Sequence, residues 1–372
     1  MTKSENNDDI WTVKAALDWT CGYLERKGDE NPRLSAQWLL SEACGLSRIE
    51  LYVNAARPLS LDERAVLRGY VTRRGRGEPL QYITGEVGFR HITVRVRPGV
   101  LIPRPETEVL VSEVLAALPA PARPRAFDST ISAAEGDQLA AAQAARALGV
   151  AGEREAAAAA EDAFDAERAS EAAADSLAGP FASASPKPQT SGAGELLVAD
   201  ICTGSGCIAC SLAYEHAGVR VVATDIAPEA VALARENAET LGLSDRVEVL
   251  QGNLGDAIDP RLRGSFDAVV SNPPYVPTDV LAQIPREVAA FEPALALDGG
   301  VDGLDLFRPL ATWAHAALKP GGVFAAELHE GHLDQAAEVA RAAGFADVRV
   351  VSDLAQRPRV LVAAKRSALV YH

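Results

Sequence analysis

The fold is decided by one stretch of sequence, Phe266-Asp267-Ala268-Val269-Val270-Ser271-Asn272-Pro273-Pro274-Tyr275. Its first six residues form the largely apolar run that is typical of a buried strand in a parallel sheet. The strand must end at Asn272, because Pro273 and Pro274 have no backbone N–H to donate to a neighbouring strand. The stretch therefore predicts an α/β sheet with a rigid polar turn at the carboxyl end of one strand.

The polar turn carries candidate catalytic residues. Asn272 offers a side-chain carbonyl and Pro273 a backbone carbonyl, and two acceptors in one pocket suit a planar NH2 group. Pro274 stiffens the loop, and the ring of Tyr275 can pack on a planar amide or base. Holding both hydrogens would favour a pyramidal, more nucleophilic nitrogen. Taken alone, the same residues are equally compatible with an ordinary turn, since Asn-Pro is a common turn signal.

Three further strand patterns precede this one, and each ends in a polar loop. Leu196–Ile201 leads into the glycine-rich loop 202–207, Val219–Thr224 ends at Asp225, and Val247–Leu250 leads to Asn253. Ligands of open α/β sheets bind at the carboxyl ends of the strands. We therefore expect these loops to form one cofactor site.

The loops indicate a nucleotide-type cofactor. Gly204 and Gly206 let a ligand approach the backbone, and Asp225, about 20 residues further on, can accept both ribose hydroxyls. Asn253 is placed to contact an adenine ring. The glycine loop fits NAD as well, because Ala209 is allowed at the last position of the dinucleotide fingerprint. The turn after the fourth strand favours group transfer to an NH2 over hydride transfer.

The amino-terminal part reads as a small helical domain, 1–78. Apolar residues recur at helical spacing around Leu17, and Leu34, Trp38 and Leu39 recur at the same spacing in a second predicted helix. A third helix begins at Ser60. Such a domain is either a packing or dimerising appendage or a substrate-docking surface, and we favour docking.

A β-hairpin linker is predicted over 79–105, before a third domain at 106–372. Ile92, Val94 and Val96 alternate with polar residues, Pro98-Gly99 forms the turn, and Val100–Ile102 is the returning segment. Arg104, held between two prolines, is a candidate binding residue.

Residues 121–193 differ in composition from the rest. The part from Ala126 to Ala193 is rich in Ala and holds eleven acidic and four basic side chains, which is about half of the net charge of −15. Large aliphatic residues are scarce, so the segment cannot bury enough apolar surface to offset the entropy of ordering. We expect a disordered or loosely helical insertion, with a dedicated binding arm as the less favoured alternative.

The overall composition restricts the function classes. A net charge of −15 argues against an extended nucleic-acid surface, and no apolar run approaches the roughly 20 residues of a membrane span. Five scattered cysteines and a polar start predict a cytoplasmic protein. No metal site is predicted, since Cys207 and Cys210 fit core positions of a helix. The basic cluster Arg73-Arg74-Gly75-Arg76 is interpreted as a solvated face.

The sequence resembles the bacterial release-factor glutamine methyltransferases, the HemK or PrmC family. The resemblance covers nearly the whole chain except the insertion. The blocks that carry it are Gly77–Gly85 followed by Phe89, Leu101–Glu108 with Ile-Pro-Arg-Pro, Asp200–Gly206 with Asp225, Asn272–Tyr275, Phe291-Glu292-Pro293 and Asp302-Gly303-Leu304. Three places depart from the family pattern. Cys202 stands in place of a glycine, Asn253 stands in place of an aspartate, and His329-Glu330-Gly331-His332 follows the fifth strand where relatives have a glycine-rich turn and a glutamine.

The resemblance implies a seven-stranded Rossmann-like class I methyltransferase domain, preceded by a helical bundle and a hairpin linker. It implies methyl transfer from S-adenosylmethionine to the glutamine of the Gly-Gly-Gln motif in class 1 release factors, which would be the protein partner. The residues it assigns to the cofactor are Asp200, Cys202, Thr203, Gly204, Ser205, Gly206, Asp225, Ile226, Asn253, Leu254, Asn272 and Arg104.

Three alternatives stay open at the level of sequence. A sibling enzyme with the same chemistry could methylate a glutamine of a ribosomal protein. An enzyme that methylates an adenine or guanine amine in nucleic acid shares the Asn-Pro-Pro-Tyr turn, but it would need a basic groove. A scaffold that binds the cofactor without catalysis is the third.

We predict that deletion of residues 126–190 leaves fold and activity largely intact, because the segment lies outside every motif. Circular dichroism and methyl transfer from labelled cofactor measure both properties. An unfolded or inactive deletion variant would contradict the assignment of this segment as an insertion.

Overall fold

The computed structural model describes residues 11–120, 195–284, 286–353 and 355–367, so the predicted insertion at 121–193 lies outside the described residues. The strands are β1 Glu86–Phe89, β2 Ile92–Arg95, β3 Leu196–Ile201, β4 Val219–Asp225, β5 Val247–Gln251, β6 Phe266–Ser271, β7 Leu318–Glu327, β8 Ala346–Ser352 and β9 Pro358–Ala364. The α-helices are Val13–Arg26, Pro32–Cys44, Arg48–Val53, Leu61–Arg74, Leu80–Thr84, Thr107–Ala117, Cys207–Glu215, Pro228–Thr240, Arg286–Phe291, Phe307–Ala317 and Leu333–Ala342.

The amino-terminal helices form a small bundle. The helix Leu61–Arg74 begins with a capping box, in which the Ser60 hydroxyl accepts from the Glu63 N–H while the Glu63 carboxylate accepts from the Ser60 N–H. The second predicted helix is present as Pro32–Cys44, and its large apolar residues do not share one environment: Leu39 is buried, but Leu34 and Trp38 are 41% and 45% exposed. Small and polar side chains on that helix, such as Ala36 and Ser35, are buried together with Leu39 and Leu40.

The predicted hairpin exists, but its turn was misplaced. β1 pairs with β2 in antiparallel register from Glu86↔Arg95 to Phe89↔Ile92, so the turn is Arg90-His91 and not Pro98-Gly99. Arg90 adopts a left-handed φ of 52°, which is unusual for a side chain with a Cβ. The Arg90 guanidinium pairs with Glu215 at 2.6 Å, so a tertiary ion pair stabilises a turn that has no turn-forming sequence.

A seven-stranded sheet follows, with the order β5-β4-β3-β6-β7-β9-β8. Strands β3 to β7 are parallel, and β9 runs antiparallel to both of its neighbours. The central strand β6 is buried along its whole length, as its apolar run predicts. Helices cover both faces, so the sheet separates two apolar cores.

The register of the central strands positions the site. Ile201 of β3 is level with Thr224 of β4 and with Ser271 of β6. The residues that follow each of these, Cys202, Asp225 and Asn272, therefore lie at one height at the carboxyl ends of the strands. The Ser271 hydroxyl also donates to the Ile201 carbonyl at 2.6 Å, which joins the two strands just below the loops.

The interpretation of the basic cluster as a solvated face was wrong for Arg74. Its side chain is only 11% exposed, and it pairs with Asp29 at 2.7 Å and with Glu287 at 2.9 Å. Burial raises the pKa of Asp29, but hydrogen bonds from Arg74 and from the Asn31 N–H more than reverse this effect, and the pKa is lowered. Arg74 thus ties the helical bundle to the helix Arg286–Phe291.

The parts of the chain on either side of the insertion form one compact unit, so the boundaries near residues 78 and 105 stay predictions. Among the helices within the described ranges, none has the length and apolar character needed to cross a membrane.

Replacing Arg74 with methionine is expected to destabilise the protein by about 3 kcal/mol, because it leaves the Asp29 carboxylate buried without its partner. Chemical denaturation measures the loss. Arg261→Met is the control, since Arg261 pairs with Asp259 on the surface, and it should unfold like the wild type. Equal stability of the Arg74 and Arg261 variants would show that the buried pair contributes nothing.

Candidate active site

A cavity of about 420 Å³ lies at the carboxyl ends of the central strands. Loops after four of the parallel strands and the linker before helix Thr107–Ala117 line it together. The sequence-predicted residues on its wall are Arg104, Cys202, Thr203, Gly204, Ser205, Asp225, Ile226, Asn253, Leu254, Asn272 and Pro274. Most of the predicted site residues are therefore brought together in one cavity.

Asp225 connects two loops of the cavity. Its Oδ2 accepts from the Gly204 N–H at 2.9 Å, and its Oδ1 accepts from the Ala227 N–H at 2.9 Å. Burial raises the pKa of Asp225, and these backbone hydrogen bonds oppose that rise. Each carboxylate oxygen keeps lone-pair capacity, so Asp225 can still accept from a pair of ligand hydroxyls.

Asp200 does not line the cavity. It is completely buried beneath the glycine loop, where its Oδ2 accepts from the Thr203 hydroxyl at 2.6 Å and from the Ala209 N–H at 3.2 Å. Burial raises the pKa of Asp200 to about 7, against the effect of these hydrogen bonds. Asp200 therefore holds the loop in shape from below, and a direct cofactor contact stays a prediction.

Gly206 also lies behind the wall of the cavity. Its φ is 79°, and a Cβ at this position would lie 3.0 Å from the Ala234 Cβ, so glycine allows helix Pro228–Thr240 to pack against the loop. Cys202 lines the cavity with a φ of 63°, where a glycine would be unstrained. Burial raises the pKa of the Cys202 thiol to about 12, so the thiol is neutral.

Only two of the four residues in the Asn-Pro-Pro-Tyr turn line the cavity. Asn272 and Pro274 line the cavity, whereas Pro273 and Tyr275 do not. The Asn272 amide nitrogen donates to the Thr107 hydroxyl at 3.2 Å, which leaves the amide oxygen free to accept. The Tyr275 hydroxyl donates to Glu327 at 3.4 Å. The catalytic roles of Pro273 and Tyr275 stay predictions.

Arg104 reaches the cavity from the linker between the two prolines. Its guanidinium pairs with Glu292, whose side chain is 1% exposed. Burial raises the pKa of Glu292, and the charge and hydrogen bond of Arg104 oppose that rise. The ion pair holds a partly exposed cation at the wall of the cavity.

The sequence reasoning missed three buried polar residues around the site. Thr107 and Glu327 support the turn at Asn272, and Asn237 donates to the Ser205 carbonyl at 2.8 Å and to the Arg95 carbonyl at 3.1 Å. A signal existed for Glu327, because it lies at the carboxyl end of the strand next to β6. Nothing local distinguishes Thr107 or Asn237, since their partners are remote in sequence.

Two family models match the chain. The model described as the PrmC N-terminal domain matches residues 15–85, and the methyltransferase small domain matches residues 189–287.

The chain is also similar over nearly its full length to proteins named release factor glutamine methyltransferase. It is 36% identical to the protein of Geobacter sulfurreducens, across 93% of this chain and 94% of the relative. For Moorella thermoacetica the identity is 35%, across 95% and 99% of the two chains. For Caulobacter vibrioides it is 33%, across 95% and 97%. This chain belongs to the release factor glutamine methyltransferase family. The protein is therefore an enzyme that uses S-adenosylmethionine, as the sequence predicts.

The residues of this methyltransferase fit that cofactor. Asp225 offers acceptors for ribose hydroxyls, and the open space beside Gly204, where a Cβ would meet only Val100 at 3.9 Å, allows a ligand to approach the backbone. Apolar side chains such as Leu254 and Ile102 complete the wall. Asn253 keeps hydrogen-bonding capacity in place of the family's aspartate.

We expect Asp225→Ala to weaken S-adenosylmethionine binding on the order of a hundredfold, because it removes the ribose acceptors and releases the N–H groups of Gly204 and Ala227. Asp225→Asn should bind with intermediate affinity, since one carbonyl acceptor remains. Isothermal titration calorimetry measures both affinities. The control is Asp245→Ala on the exposed turn before β5. Unchanged affinity in Asp225→Ala would refute the role of this residue.

Proposed function

We propose that this methyltransferase transfers a methyl group to the side-chain amide nitrogen of the glutamine in the Gly-Gly-Gln motif of class 1 release factors. The observation that carries the proposal is the orientation of Asn272. With its amide nitrogen bound to Thr107, the Asn272 oxygen is an acceptor on the wall of the same cavity as Asp225. A glutamine NH2 is a planar group with two donors, which an arrangement of acceptors recognises.

The protein acts mainly by positioning and electrostatics. Bound in the cavity, S-adenosylmethionine supplies an electrophilic methyl group. The Asn272 oxygen accepts a hydrogen of the target nitrogen, which stabilises positive charge as it develops there. The Pro273 carbonyl, which the sequence suggests as a second acceptor, belongs to a residue that does not line the cavity. The partly buried Tyr275 ring packs against the core and is anchored through its hydroxyl to Glu327, which keeps the turn rigid. Fixing the nitrogen in one orientation removes much of the entropic cost of reaction.

The helical bundle is proposed as the docking surface for the release factor, in the cytoplasm. Two tryptophans on the bundle, Trp19 and Trp38, are 48% and 45% exposed, and exposed aromatic side chains are enriched at protein interfaces. The Arg74–Glu287 ion pair places the bundle beside the segment that contains Glu292. Substrate bound on the bundle would therefore lie close to the linker and to the cavity.

Nucleic-acid methylation is less well supported than protein methylation. Two arginines of the basic cluster, Arg73 and Arg74, pair with Glu78 and with Asp29 and Glu287. Their charges are neutralised within the fold and do not form the basic groove that an enzyme of nucleic-acid bases would need.

The experiment gives the enzyme and labelled cofactor four substrates in separate reactions: purified release factor, a release factor in which the loop glutamine is alanine, ribosomal proteins and nucleic acid. We expect label on the wild-type release factor alone. Label on the alanine variant, on a ribosomal protein instead, or on nucleic acid would contradict the proposal.

Asn272→Ala is expected to lower turnover on the order of a hundredfold, because it removes one preorganised acceptor. Steady-state kinetics with release factor measures the effect, and calorimetry checks that the cofactor still binds. Gln335→Ala removes an exposed amide from helix Leu333–Ala342 and should match the wild type. Near-normal turnover in Asn272→Ala would overturn the mechanism.

A further inference from the structure

The helical bundle contains a cleft to which the proposed chemistry assigns no role. It has a volume of about 270 Å³ and lies between the helices Val13–Arg26 and Leu61–Arg74. We call it the bundle cleft. The large side chains that line it are those of Trp11, Trp19, Tyr23, Arg64, Leu67 and Arg68. Aromatic rings from one side of the bundle thus face arginines from the other.

The aromatic side of the bundle cleft is an ordered cluster. The Trp19 and Tyr23 rings stack with their centroids 5.3 Å apart, and Trp11 and Trp19 meet edge to face at 5.6 Å. Trp19 is nevertheless 48% exposed. Rings that are already held by their neighbours lose little conformational entropy when they are covered. The cluster therefore suits an apolar side chain of a partner.

The arginine side of the bundle cleft carries positive charge that the fold does not neutralise. The Arg64 guanidinium lies 5.8 Å from the centroid of the Trp11 ring, and Arg68 is exposed. Arg57 and Arg73, which flank this pair in the sequence, both pair with glutamates, whereas Arg64 and Arg68 form no ion pair with the residues that the structure describes. No carboxylate of the described residues lines the cleft.

The charge of the bundle also differs from that of the whole protein. Residues 11–78 carry eleven basic and nine acidic side chains, although the chain as a whole has a net charge of −15. An acidic segment is therefore repelled by most of this protein and attracted to the bundle. An excess of two positive charges is too small to bind a nucleic-acid backbone strongly, so an acidic polypeptide is the better match.

We propose that the bundle cleft binds an acidic segment of the release factor that lies outside the Gly-Gly-Gln loop. An apolar side chain of this segment packs against Trp19, and its carboxylates pair with Arg64 and Arg68. Tryptophan, tyrosine and arginine are the residues that most often dominate the binding energy of protein interfaces. The inference rests on the proposed function, since it takes the release factor as the substrate.

The bundle cleft is fixed relative to the methyltransferase domain. Thr72 lines the cleft and lies two residues before Arg74, which pairs with Glu287 at 2.9 Å. The Tyr23 ring packs against Gly75, where a Cβ would lie 2.9 Å from the ring. A segment held in the cleft is therefore kept at a constant distance from the cavity, which raises the effective concentration of the reacting loop there.

The test measures steady-state kinetics with intact release factor. Trp19→Ala should raise KM about thirtyfold, with kcat and cofactor affinity changed by less than about twofold, because a contact remote from the reacting atoms contributes equally to substrate and transition-state binding. Trp19→Phe keeps an aromatic ring and should restore most of the affinity. Circular dichroism checks that each variant is folded.

Charge reversal tests the arginines separately. The combined variant Arg64→Glu and Arg68→Glu should raise KM by about tenfold and weaken the decrease of kcat/KM with rising salt, because complementary charges steer association. Two controls should behave as wild type. Tyr214→Ala removes an exposed ring from helix Cys207–Glu215, and Arg33→Glu reverses an exposed charge of the bundle outside the cleft.

The outcomes separate this inference from the proposed function. Wild-type KM in Trp19→Ala and in the charge-reversal variant, or losses confined to kcat, would overturn the inference. So would competitive inhibition by a single-stranded uridine oligonucleotide that the charge-reversal variant no longer shows. A lower KM after removal of residues 2–9, which include three acidic side chains, would show that this segment occupies the cleft and would also overturn it. Absence of label on the release factor with the wild-type enzyme would instead overturn the proposed function.

Discussion

The parallel pairing of β3 with β4 and β6 is the constraint on which the site depends. Because Ile201, Thr224 and Ser271 are level in the sheet, three loops remote in sequence begin at the same height. One loop supplies the glycine turn, the second the acidic side chain, and the third the Asn-Pro-Pro-Tyr turn. A slip of one residue in either pairing would turn every side chain of a strand to the opposite face and separate these loops. The two apolar cores, by burying both faces of the sheet, hold the register in place.

Several buried carboxyl groups lie around the carboxyl ends of the strands, where the site is located. Asp200, Asp225, Glu292 and Glu327 all have a pKa raised by burial, and the first, third and fourth each keep one oxygen without a hydrogen-bond partner in the part of the chain that the structure describes. Such groups lower the stability of a fold unless they are satisfied. Their position around one cavity indicates that the fold gives up some stability here to hold loops and side chains in fixed orientations.

The sequence was sufficient to predict the elements whose pattern is local. Strand β6 and its turn could be located because apolar runs and prolines act within a few residues, and the family resemblance added the seven-stranded fold. The errors lie where a remote partner overrides the local signal. Pro98-Gly99 is a stronger turn signal than Arg90-His91, but the ion pair with Glu215 stabilises the latter. The sequence around Arg74 is typical of a surface charge, because its partner Glu287 is 213 residues away in the sequence. The Thr107–Asn272 hydrogen bond spans 165 residues and has no local pattern to reveal it.

The residues on either side of the insertion lie near the amino ends of the central strands, whereas the cavity lies at their carboxyl ends. The Pro119 carbonyl hydrogen-bonds to the His216 ring at 2.8 Å, just before β4, and Glu195 pairs with Arg220 at 3.4 Å beside the amino end of β3. These contacts close the helix Thr107–Ala117 onto the sheet independently of what the chain does between them. The residues that flank the insertion are therefore held at the amino ends of β3 and β4 by contacts of their own. A fluorophore attached at Glu195 itself would report on this end of the sheet, which is the end away from the catalytic loops.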